Sequence, residues 1–234
     1  MSFKNGKIVI FSGAGISAES GIATFRDGNG LWANYDPEVV CNYTNWLTNY
    51  DLVHKFYNLR REELKKVEPN IAHKLIKKLS DEFSVINITQ NVDDLFERAG
   101  CKDVIHLHGN LLELKCPKCK EIININYESY NFIPCRKCGS EKLKPNIVFF
   151  YEEAPKYREM YQIFDSLSSE DIILVVGTSG EVVNVCGIMN KGYKILNNLN
   201  SSRMINESIF DSLYLESSSS AMPKIYDEIR KLKS

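Results

Sequence analysis

The sequence predicts an α/β protein with a doubly wound parallel sheet and a smaller inserted module. Three observations predict it. Short apolar runs alternate with amphipathic helical stretches, a glycine-rich turn directly follows the first apolar run, and four cysteines cluster in one central segment. Alternating strands and helices are typical of parallel sheets, because each crossover between parallel strands needs a connection as long as a helix.

The first predicted strand, residues 8–11, runs into the turn Gly13-Ala14-Gly15-Ile16-Ser17-Ala18, which fits the G-x-G-x-x-G/A pattern of dinucleotide-binding folds. Gly13 allows a tight turn, and Gly15 has no side chain to keep a pyrophosphate from the backbone. The following helix offers free N–H groups to phosphate oxygens. Because a glycine-rich turn also serves simple packing, the pattern alone leaves both readings open. It makes Gly13, Ala14, Gly15 and Ser17 candidate cofactor contacts in a Rossmann-like sheet.

A long polar loop follows this helix and carries Phe25 and Arg26 at its centre. A glycine-bearing loop with an aromatic ring and a guanidinium group is typical of a lid over a ligand. We therefore expect Phe25 and Arg26 to contact the same cofactor.

The remaining elements follow in order. Apolar spacing predicts helices over 43–64 and 71–79, a strand over 84–89, and a short helix over 94–99 that Asp93 caps. Further strands are predicted over 104–107, 171–176, 194–199 and 212–215. A helix is predicted over 157–167, a flexible serine run over 217–220, and a closing helix over 222–232.

The segment 114–145 is rich in Cys and Lys and lacks core periodicity, which indicates an insertion. We expect a Rossmann-like cofactor-binding domain composed of residues 1–40, 80–113 and 146–234. The helical insertion 41–79 and the zinc-ribbon module 114–145 then form a small domain.

The four clustered cysteines predict one structural zinc ion per chain. They have the spacing C-x2-C-x15-C-x2-C, in which each pair presents two thiolates on one side of a tight turn. Four ligands leave no open position for catalysis. A redox dithiol and coincidence are the alternatives, and a ribbon with nearby lysines also keeps a nucleic-acid module open. The expected ligands are Cys116, Cys119, Cys135 and Cys138.

Composition and charge exclude several other classes. The net charge of −1 gives no electrostatic reason to expect a specific nucleic acid or a membrane surface as partner. No apolar run reaches transmembrane length, and the first six residues are too short and polar for a signal peptide. Seven cysteines, four of them in C-x-x-C pairs, favour a reducing compartment. We expect a cytoplasmic location, and the sequence leaves the oligomeric state unknown.

The stretch GAGISAESGIATFRDGNGLW resembles the opening signature of the sirtuins, the NAD-dependent protein deacylases. The resemblance implies NAD as cofactor and covers nearly the whole chain through several further motifs in order. Thr89-Gln90-Asn91-Val92-Asp93 resembles the family's TQNxD motif, whose Asn and Asp line the nicotinamide pocket. The turn after the strand 171–176 resembles its GTS turn against adenosine. The implied cofactor contacts in these motifs are Gln90, Asn91, Asp93, Gly177, Thr178, Ser179 and Asn198.

A His-Gly pair marks the implied catalytic base. His108 and His106 point to the same face of one predicted strand, so the pattern alone does not choose between them. The resemblance implies that His108 is the general base, a task that suits imidazole because its pKa lies near neutral pH.

Tyr57 and Arg60 are the candidate substrate contacts. Positions i and i+3 share a helix face, so a phenol and a guanidinium group could meet one carboxylate, although a solvated helix face explains the same spacing. Their helix resembles the Tyr-x-x-Arg helix of the sirtuin class that removes succinyl and malonyl groups. Thr24, where many deacetylases have Asp, and the small Cys41 point to the same class.

The sequence also departs from the family pattern. Tyr151 stands where the family has Gly and Asn184 where it has Pro, both beside the groove in which a substrate peptide adds as a β-strand. Asn197 replaces an apolar residue and Asn200 replaces Glu near the adenine end. We therefore expect cofactor binding to follow the family more closely than peptide binding.

The resemblance implies an NAD-dependent lysine deacylase acting on acyl-lysine proteins or peptides and releasing nicotinamide and O-acyl-ADP-ribose. Two alternatives stay open. An ADP-ribosyltransferase or NAD glycohydrolase would share the cofactor pocket without needing acyl-lysine. A non-enzymatic zinc-ribbon binding protein would leave His108 and the glycine-rich turns unexplained.

Overall fold

The computed structural model describes residues 3–23 and 33–234. Within these residues the strands are β1 Ile8–Ser12, β2 Val85–Thr89, β3 Ile105–His106, β4 Gly109–Lys115, β5 Ile122–Asn124, β6 Lys144–Ile147, β7 Ile172–Val176, β8 Tyr193–Asn198 and β9 Ser212–Leu215. The helices are α1 Gly15–Ala18, α2 Pro37–Val40, α3 Tyr50–Leu64, α4 Ile71–Glu82, α5 Leu95–Arg98, α6 Tyr157–Asp165 and α7 Ser218–Lys233.

Six strands form one parallel sheet in the order β3-β2-β1-β7-β8-β9. The chain leaves β1 towards one edge and later returns to β7, which pairs with the other side of β1. The direction of winding therefore reverses between β1 and β7. In open α/β sheets, ligands bind in the crevice beyond the carboxyl ends of the strands at this point. The predicted doubly wound, Rossmann-like sheet is confirmed.

The strand β1 is buried on both faces, which explains its uninterrupted apolar sequence. Val9 and Phe11 pack in one cluster with Met160 and Phe164 of α6. The opposite face of the strand packs against α4 and α7 in a second cluster. These two layers of helices fix the carboxyl end of β1, and with it the turn that begins at Gly13.

A small three-stranded antiparallel sheet, in the order β5-β4-β6, forms the second unit with α2 and α3. Its core joins apolar residues of α3 to the strands and to the buried Cys116 and Cys135. Because β4 begins at Gly109 and β6 ends at Ile147, this sheet extends past both ends of the expected module 114–145. The residue boundaries between the domains stay a prediction.

Two elements differ from the sequence-based expectation because side chains cap the backbone. The helix expected from residue 43 begins at Tyr50, since Asn42 Oδ1 accepts a hydrogen bond from Thr44 N at 2.8 Å and holds the preceding residues in turns. The serine run 217–220 opens α7. There, Ser217 Oγ accepts from Ser220 N, and Glu19 accepts from Ser219 N at 2.8 Å.

Among the helices of the described ranges, none combines the length and the apolar character that a membrane crossing requires.

Candidate active site

The turns that follow β1 and β7 lie in direct contact at the switch point of the sheet. Gly15 N donates to Gly177 O at 2.9 Å. A Cβ atom on Gly13 would lie 2.7 Å from Gly177 O, and one on Gly15 would lie 2.7 Å from Gly177 Cα. Gly177 itself has φ +65°, a conformation that favours glycine. The glycines thus first serve the close approach of two backbone turns, which form the floor of the crevice.

Side chains from three strand ends meet at Thr178. Gln90 Nε2, after β2, donates to Thr178 Oγ1 at 3.0 Å. Asn198, at the end of β8, pairs with the backbone of Thr178 in both directions: its Oδ1 accepts from Thr178 N at 3.0 Å and its Nδ2 donates to Thr178 O at 2.8 Å. Ser179 O accepts from Ser202 Oγ at 2.6 Å. Asn198 therefore fixes the GTS turn through its whole amide group.

A chain of hydrogen bonds joins Asn91, Ser17 and Asp93. Asn91 Nδ2 donates to Ser17 Oγ at 3.0 Å, and Ser17 Oγ donates to Asp93 Oδ2 at 3.0 Å. Asp93 Oδ1 accepts from Leu95 N at 3.2 Å at the start of α5. Burial raises the pKa of Asp93, with the Leu95 N–H and the Ser17 hydroxyl opposing that rise. The arrangement places an amide and a carboxylate side by side, which suits a carboxamide ligand with both donor and acceptor atoms.

The two histidines of the third strand region have different surroundings. His108 Nδ1 lies 3.0 Å from Gln90 O, whereas His106 Nδ1 lies 2.8 Å from Asn91 O and its Nε2 lies 2.9 Å from Glu97 Oε1. Burial lowers the pKa of His108. For His106, burial lowers the pKa, but the Glu97 carboxylate more than reverses this effect and raises it overall. The surroundings of the two rings therefore favour the protonated form of His106 and the neutral form of His108.

Tyr57 and Arg60 lie together on α3, as their spacing predicts. The Arg60 guanidinium carbon is 5.8 Å from the centroid of the Tyr57 ring. Tyr57 is fully buried, stacks on Phe149 at 5.6 Å, and donates its hydroxyl to Cys41 Sγ at 3.5 Å. Burial raises the pKa of Tyr57 well above its usual value. A phenol, a thiol and a guanidinium group thus form one cluster.

The segment that carries Tyr151 is held against the chain around Cys41. Phe150 N donates to Cys41 O at 2.8 Å, and Tyr43 N donates to Phe150 O at 3.0 Å. Tyr151 has φ +65° and is 73% exposed. Asn184 uses its side-chain oxygen to accept from Gly187 N at 3.2 Å. Both departures from the family pattern therefore lie in ordered turns.

The four cysteines of the small unit form a compact cluster in which their sulfur atoms lie within 4.8 Å of one another. Cys116 Sγ and Cys138 Sγ are 3.5 Å apart, and Cys119 Sγ and Cys135 Sγ are 3.7 Å apart. A tetrahedral zinc ion with Zn–S bonds of about 2.3 Å requires sulfur–sulfur separations of about 3.8 Å. The donor set and its dimensions fit one structural zinc ion.

The predicted cofactor contacts Phe25 and Arg26, and Thr24, which points to the acidic-acyl class, lie outside the described residues. Ala14 is exposed next to the start of α1.

Sequence reasoning missed two features near these residues. Tyr157, the first residue of α6, places its hydroxyl 2.9 Å from His108 Nε2. Lys144 forms a buried ion pair with Glu152 at 2.7 Å and lies 3.7 Å above the centroid of the Phe149 ring. No local pattern signals the first contact, because Tyr157 follows His108 by 49 positions. The ion pair had one signal in the sequence, because Glu152 directly follows the aromatic run 149–151.

Comparison with known proteins identifies the family of this chain. The model of the Sir2 family matches residues 13–184, from the glycine-rich turn to the loop after the GTS turn. The chain belongs to the Sir2 family. The resemblance to this family is thereby confirmed, and the resemblance of α3 to the Tyr-x-x-Arg class stays a prediction.

Curated Sir2 relatives match over nearly full length. A protein of Helicobacter hepaticus named NAD-dependent protein deacylase is 51% identical, with 96% of this chain and 98% of the relative covered. A Campylobacter jejuni protein of the same name is 45% identical and covers 93% of both chains.

Solved structures of Sir2 homologues share the fold. The crystal structure of a Sir2 homologue in complex with NAD is 32% identical, covers 99% of this chain and 92% of its own, and has a TM-score of 0.86. Complexes of Sir2 homologue mutants with ADP-ribose match equally well, with a TM-score of 0.86.

Proposed function

We propose that this protein is an NAD-dependent protein lysine deacylase that uses His108 as its general base and prefers acidic acyl groups. The family and the name shared by its relatives support the deacylase activity. The base assignment and the acyl preference rest on the geometry of the site.

The observation that carries the proposal is the environment of His108. The carbonyl oxygen of Gln90 can only accept, so Nδ1 of a neutral His108 carries the proton and Nε2 keeps the basic lone pair. Burial lowers the pKa of the imidazole and thereby favours its neutral form near pH 7. The ring lies at the carboxyl end of β3, beside the Gln90–Asp93 loop and within reach of the sheet's switch point.

The residues around the crevice fit NAD by their donor set. We infer that Asn91 and Asp93, linked through Ser17, hold the nicotinamide carboxamide. The turns of Gly13, Ala14, Gly15 and Gly177, Thr178, Ser179 hold the phosphates and the adenosine, with Gln90 and Asn198 fixing the second turn. Phe25 and Arg26 belong to the same proposed set. When bound, NAD supplies the ribosyl carbon that takes up the acyl oxygen.

We infer that the Tyr57–Arg60–Cys41 cluster forms the acyl subsite. Arginine meets a carboxylate with two parallel hydrogen bonds, and the Tyr57 hydroxyl, now donating to the weak acceptor Cys41 Sγ, can turn to the same carboxylate. Burying an acyl carboxylate without such a cation is strongly unfavourable. This favours succinyl- and malonyl-lysine over acetyl-lysine.

The zinc ion is structural in this proposal. Its four cysteines fill the coordination sphere, and Cys116 and Cys135 are buried in the core of the small unit that also contains Tyr57. The metal therefore supports the acyl subsite through the fold.

The deciding experiment is mass spectrometry of the products formed from NAD with acetyl-, succinyl- and unmodified-lysine peptides. The expected result is free lysine and O-acyl-ADP-ribose with both acyl-peptides, and a higher kcat/KM for succinyl-lysine. Equal NAD consumption with the unmodified peptide would instead support an NAD glycohydrolase or an ADP-ribosyltransferase.

Two variants of Arg60 test the acyl preference separately. Arg60→Met should depress desuccinylation by roughly one to two decades relative to deacetylation, as expected for a hydrogen bond to a charged group. Arg60→Lys keeps the positive charge but cannot form two parallel hydrogen bonds to a carboxylate. Its ratio of desuccinylation to deacetylation should therefore lie between those of the wild type and Arg60→Met. An equal loss of both activities in Arg60→Met would remove the acidic-acyl assignment and leave the deacylase assignment standing.

A further inference from the structure

Within residues 3–23 and 33–234, Tyr157 is the side chain that contacts Nε2 of His108. It is the first residue of α6, and its hydroxyl oxygen lies 2.9 Å from His108 Nε2, with the two ring centroids 5.8 Å apart. The helix behind it is anchored by Met160 and Phe164, which are buried in the core beneath the sheet. The position of Tyr157 at the base is therefore set by the fold.

The direction of this hydrogen bond follows from the other end of the imidazole. His108 Nδ1 donates to Gln90 O, and a neutral imidazole carries a single proton. Nε2 is then an acceptor, so the Tyr157 hydroxyl donates to it. Burial lowers the pKa of His108 and raises the pKa of Tyr157, which favours the neutral state of both partners.

The consequence is competition for one lone pair. A hydroxyl that His108 deprotonates must come within about 2.6–3.2 Å of Nε2, the place where the Tyr157 oxygen lies. Nε2 has one lone pair in the ring plane, and Tyr157 uses it. For proton transfer, the bond from Tyr157 to Nε2 must break, and the substrate hydroxyl must then donate its proton to Nε2 to give the imidazolium.

We propose that Tyr157 is a latch on the general base: it holds His108 with Nε2 unprotonated and must release that nitrogen before base catalysis begins. The proposal rests on the proposed function of His108. The side chain is half-buried at the start of its helix, and its hydroxyl can leave Nε2 without disturbing the buried residues of α6. His108 keeps its orientation meanwhile, because Nδ1 stays bound to Gln90 O.

The segment before α6 connects the latch to the substrate groove. Phe150 is bound on both sides to the chain around Cys41, through its N–H to Cys41 O and its carbonyl to Tyr43 N. A short turn then leads to Tyr157. A peptide that adds beside Phe150 therefore contacts the same segment that positions the latch, which would couple substrate binding to release of the base.

The test compares Tyr157→Phe with the matched control Tyr161→Phe. Tyr161 lies on the same helix, packs edge-on against Tyr157 at 6.4 Å and is exposed. Tyr157→Phe keeps the ring and removes only the donor to Nε2. Thermal unfolding of both variants shows whether either substitution disturbs the fold.

Nitrogen-15 NMR of the histidine ring reads the contact directly and without turnover. In the wild type, Nε2 should show the signature of an unprotonated nitrogen that accepts a hydrogen bond. Tyr157→Phe should shift this resonance towards that of a nitrogen without a donor, and Tyr161→Phe should leave it in place. An unchanged resonance in Tyr157→Phe would overturn the latch.

Kinetic measurements then test whether the Tyr157 hydroxyl must leave His108 Nε2 before catalysis. Tyr157→Phe should raise kcat/KM for deacylation by roughly two- to tenfold, the range expected from one neutral hydrogen bond. Exchange of labelled nicotinamide into NAD, which precedes the step of the base, should stay unchanged. A lower kcat/KM in Tyr157→Phe, or the same gain in Tyr161→Phe, would overturn the latch. Absence of NAD-dependent deacylation in the wild type would overturn the proposed function instead, and the Nε2 resonance would still decide whether Tyr157 caps the base.

Discussion

His106 and His108 bind consecutive carbonyl groups of one loop, His106 Nδ1 that of Asn91 at 2.8 Å and His108 Nδ1 that of Gln90 at 3.0 Å. The two histidines differ in the groups that their Nε2 atoms contact. His106 Nε2 faces the Glu97 carboxylate, which favours a charged imidazole, whereas His108 Nε2 faces a phenol. Two histidines that the sequence pattern leaves equivalent therefore differ in the protonation state that their surroundings favour.

Replacing the proposed base, His108, should remove catalysis and leave NAD binding intact. His108→Ala should lower kcat for deacylation by about 10²–10⁴, the usual loss of a general base. Its affinity for NAD, measured by calorimetry, should stay close to that of the wild type, because the proposed carboxamide contacts are Asn91 and Asp93. Near wild-type turnover in His108→Ala would remove it from the mechanism.

The pH dependence should follow the environment of His108. Burial lowers its pKa below the ordinary value of about 6.5, so the neutral base persists at lower pH than a solvated histidine would allow. The acid limb of the kcat/KM profile should therefore lie below about pH 6.5. A limb at or above that pH would contradict the assigned environment.

The cysteine cluster should bind one zinc ion per chain, and its loss should destabilise the protein. Cys116→Ser removes a buried thiolate ligand, and folding of such a module is coupled to metal binding. Metal analysis and thermal unfolding are the measurements. Cys186→Ser, a half-buried cysteine outside the cluster, is the control and should keep both zinc and stability. A zinc-free wild type, or a fully stable Cys116→Ser, would contradict the assignment.

Two neighbouring arginines of α3 should affect different properties of the protein. Substitution of Arg60 should change acyl specificity, and substitution of Arg61 should lower stability. Arg61 is fully buried and donates to Glu128 O at 3.1 Å and Leu111 O at 3.2 Å, and burial lowers its pKa to about 10. Arg61→Met leaves the buried acceptor Leu111 O without its donor, at about 1–3 kcal/mol, and also removes the donor to the partly buried Glu128 O. We expect its free energy of unfolding to fall by at least about 1–3 kcal/mol, and that of Arg60→Met to change little. Denaturant unfolding of the two variants makes the comparison, and equal stability losses would refute it.

The sequence was sufficient for the parts of the site that local chemistry decides. The glycine-rich turn, the strand ends and the paired cysteines each follow from residue type and spacing over short distances, and the structure brings Gln90, Thr178 and Asn198 together as parallel strands require. The resemblance was needed to choose His108.

The remaining features depend on contacts between distant segments. The contact of Tyr157 with His108 joins a helix start to a strand end across 49 positions, and no periodicity encodes it. The packing of Tyr57 on Phe149 likewise links the helical insertion to the chain after the zinc module. The expectation of a flexible serine run at 217–220 was wrong because of helix capping. These serines begin α7, and Ser217 accepts a hydrogen bond from an N–H group of its first turn.

Tyr151 is an exposed residue with backbone strain, and its replacement should improve peptide binding. At φ +65° a tyrosine lies in the left-handed region that favours glycine, which costs on the order of 1 kcal/mol or more. Its side chain, 73% exposed, follows Phe150 in the segment proposed to receive the substrate strand. Tyr151→Gly should therefore lower KM for the acyl-peptide, while KM for NAD stays unchanged.

A second variant separates backbone strain from side-chain bulk. Asn tolerates the left-handed conformation better than other non-glycine residues and lacks the aromatic ring. If bulk limits the groove, Tyr151→Asn should lower the peptide KM nearly as much as Tyr151→Gly. If strain dominates, only Tyr151→Gly should do so, and its thermal stability should rise with it. A peptide KM unchanged in both variants, measured at saturating NAD, would show that Tyr151 does not narrow the groove.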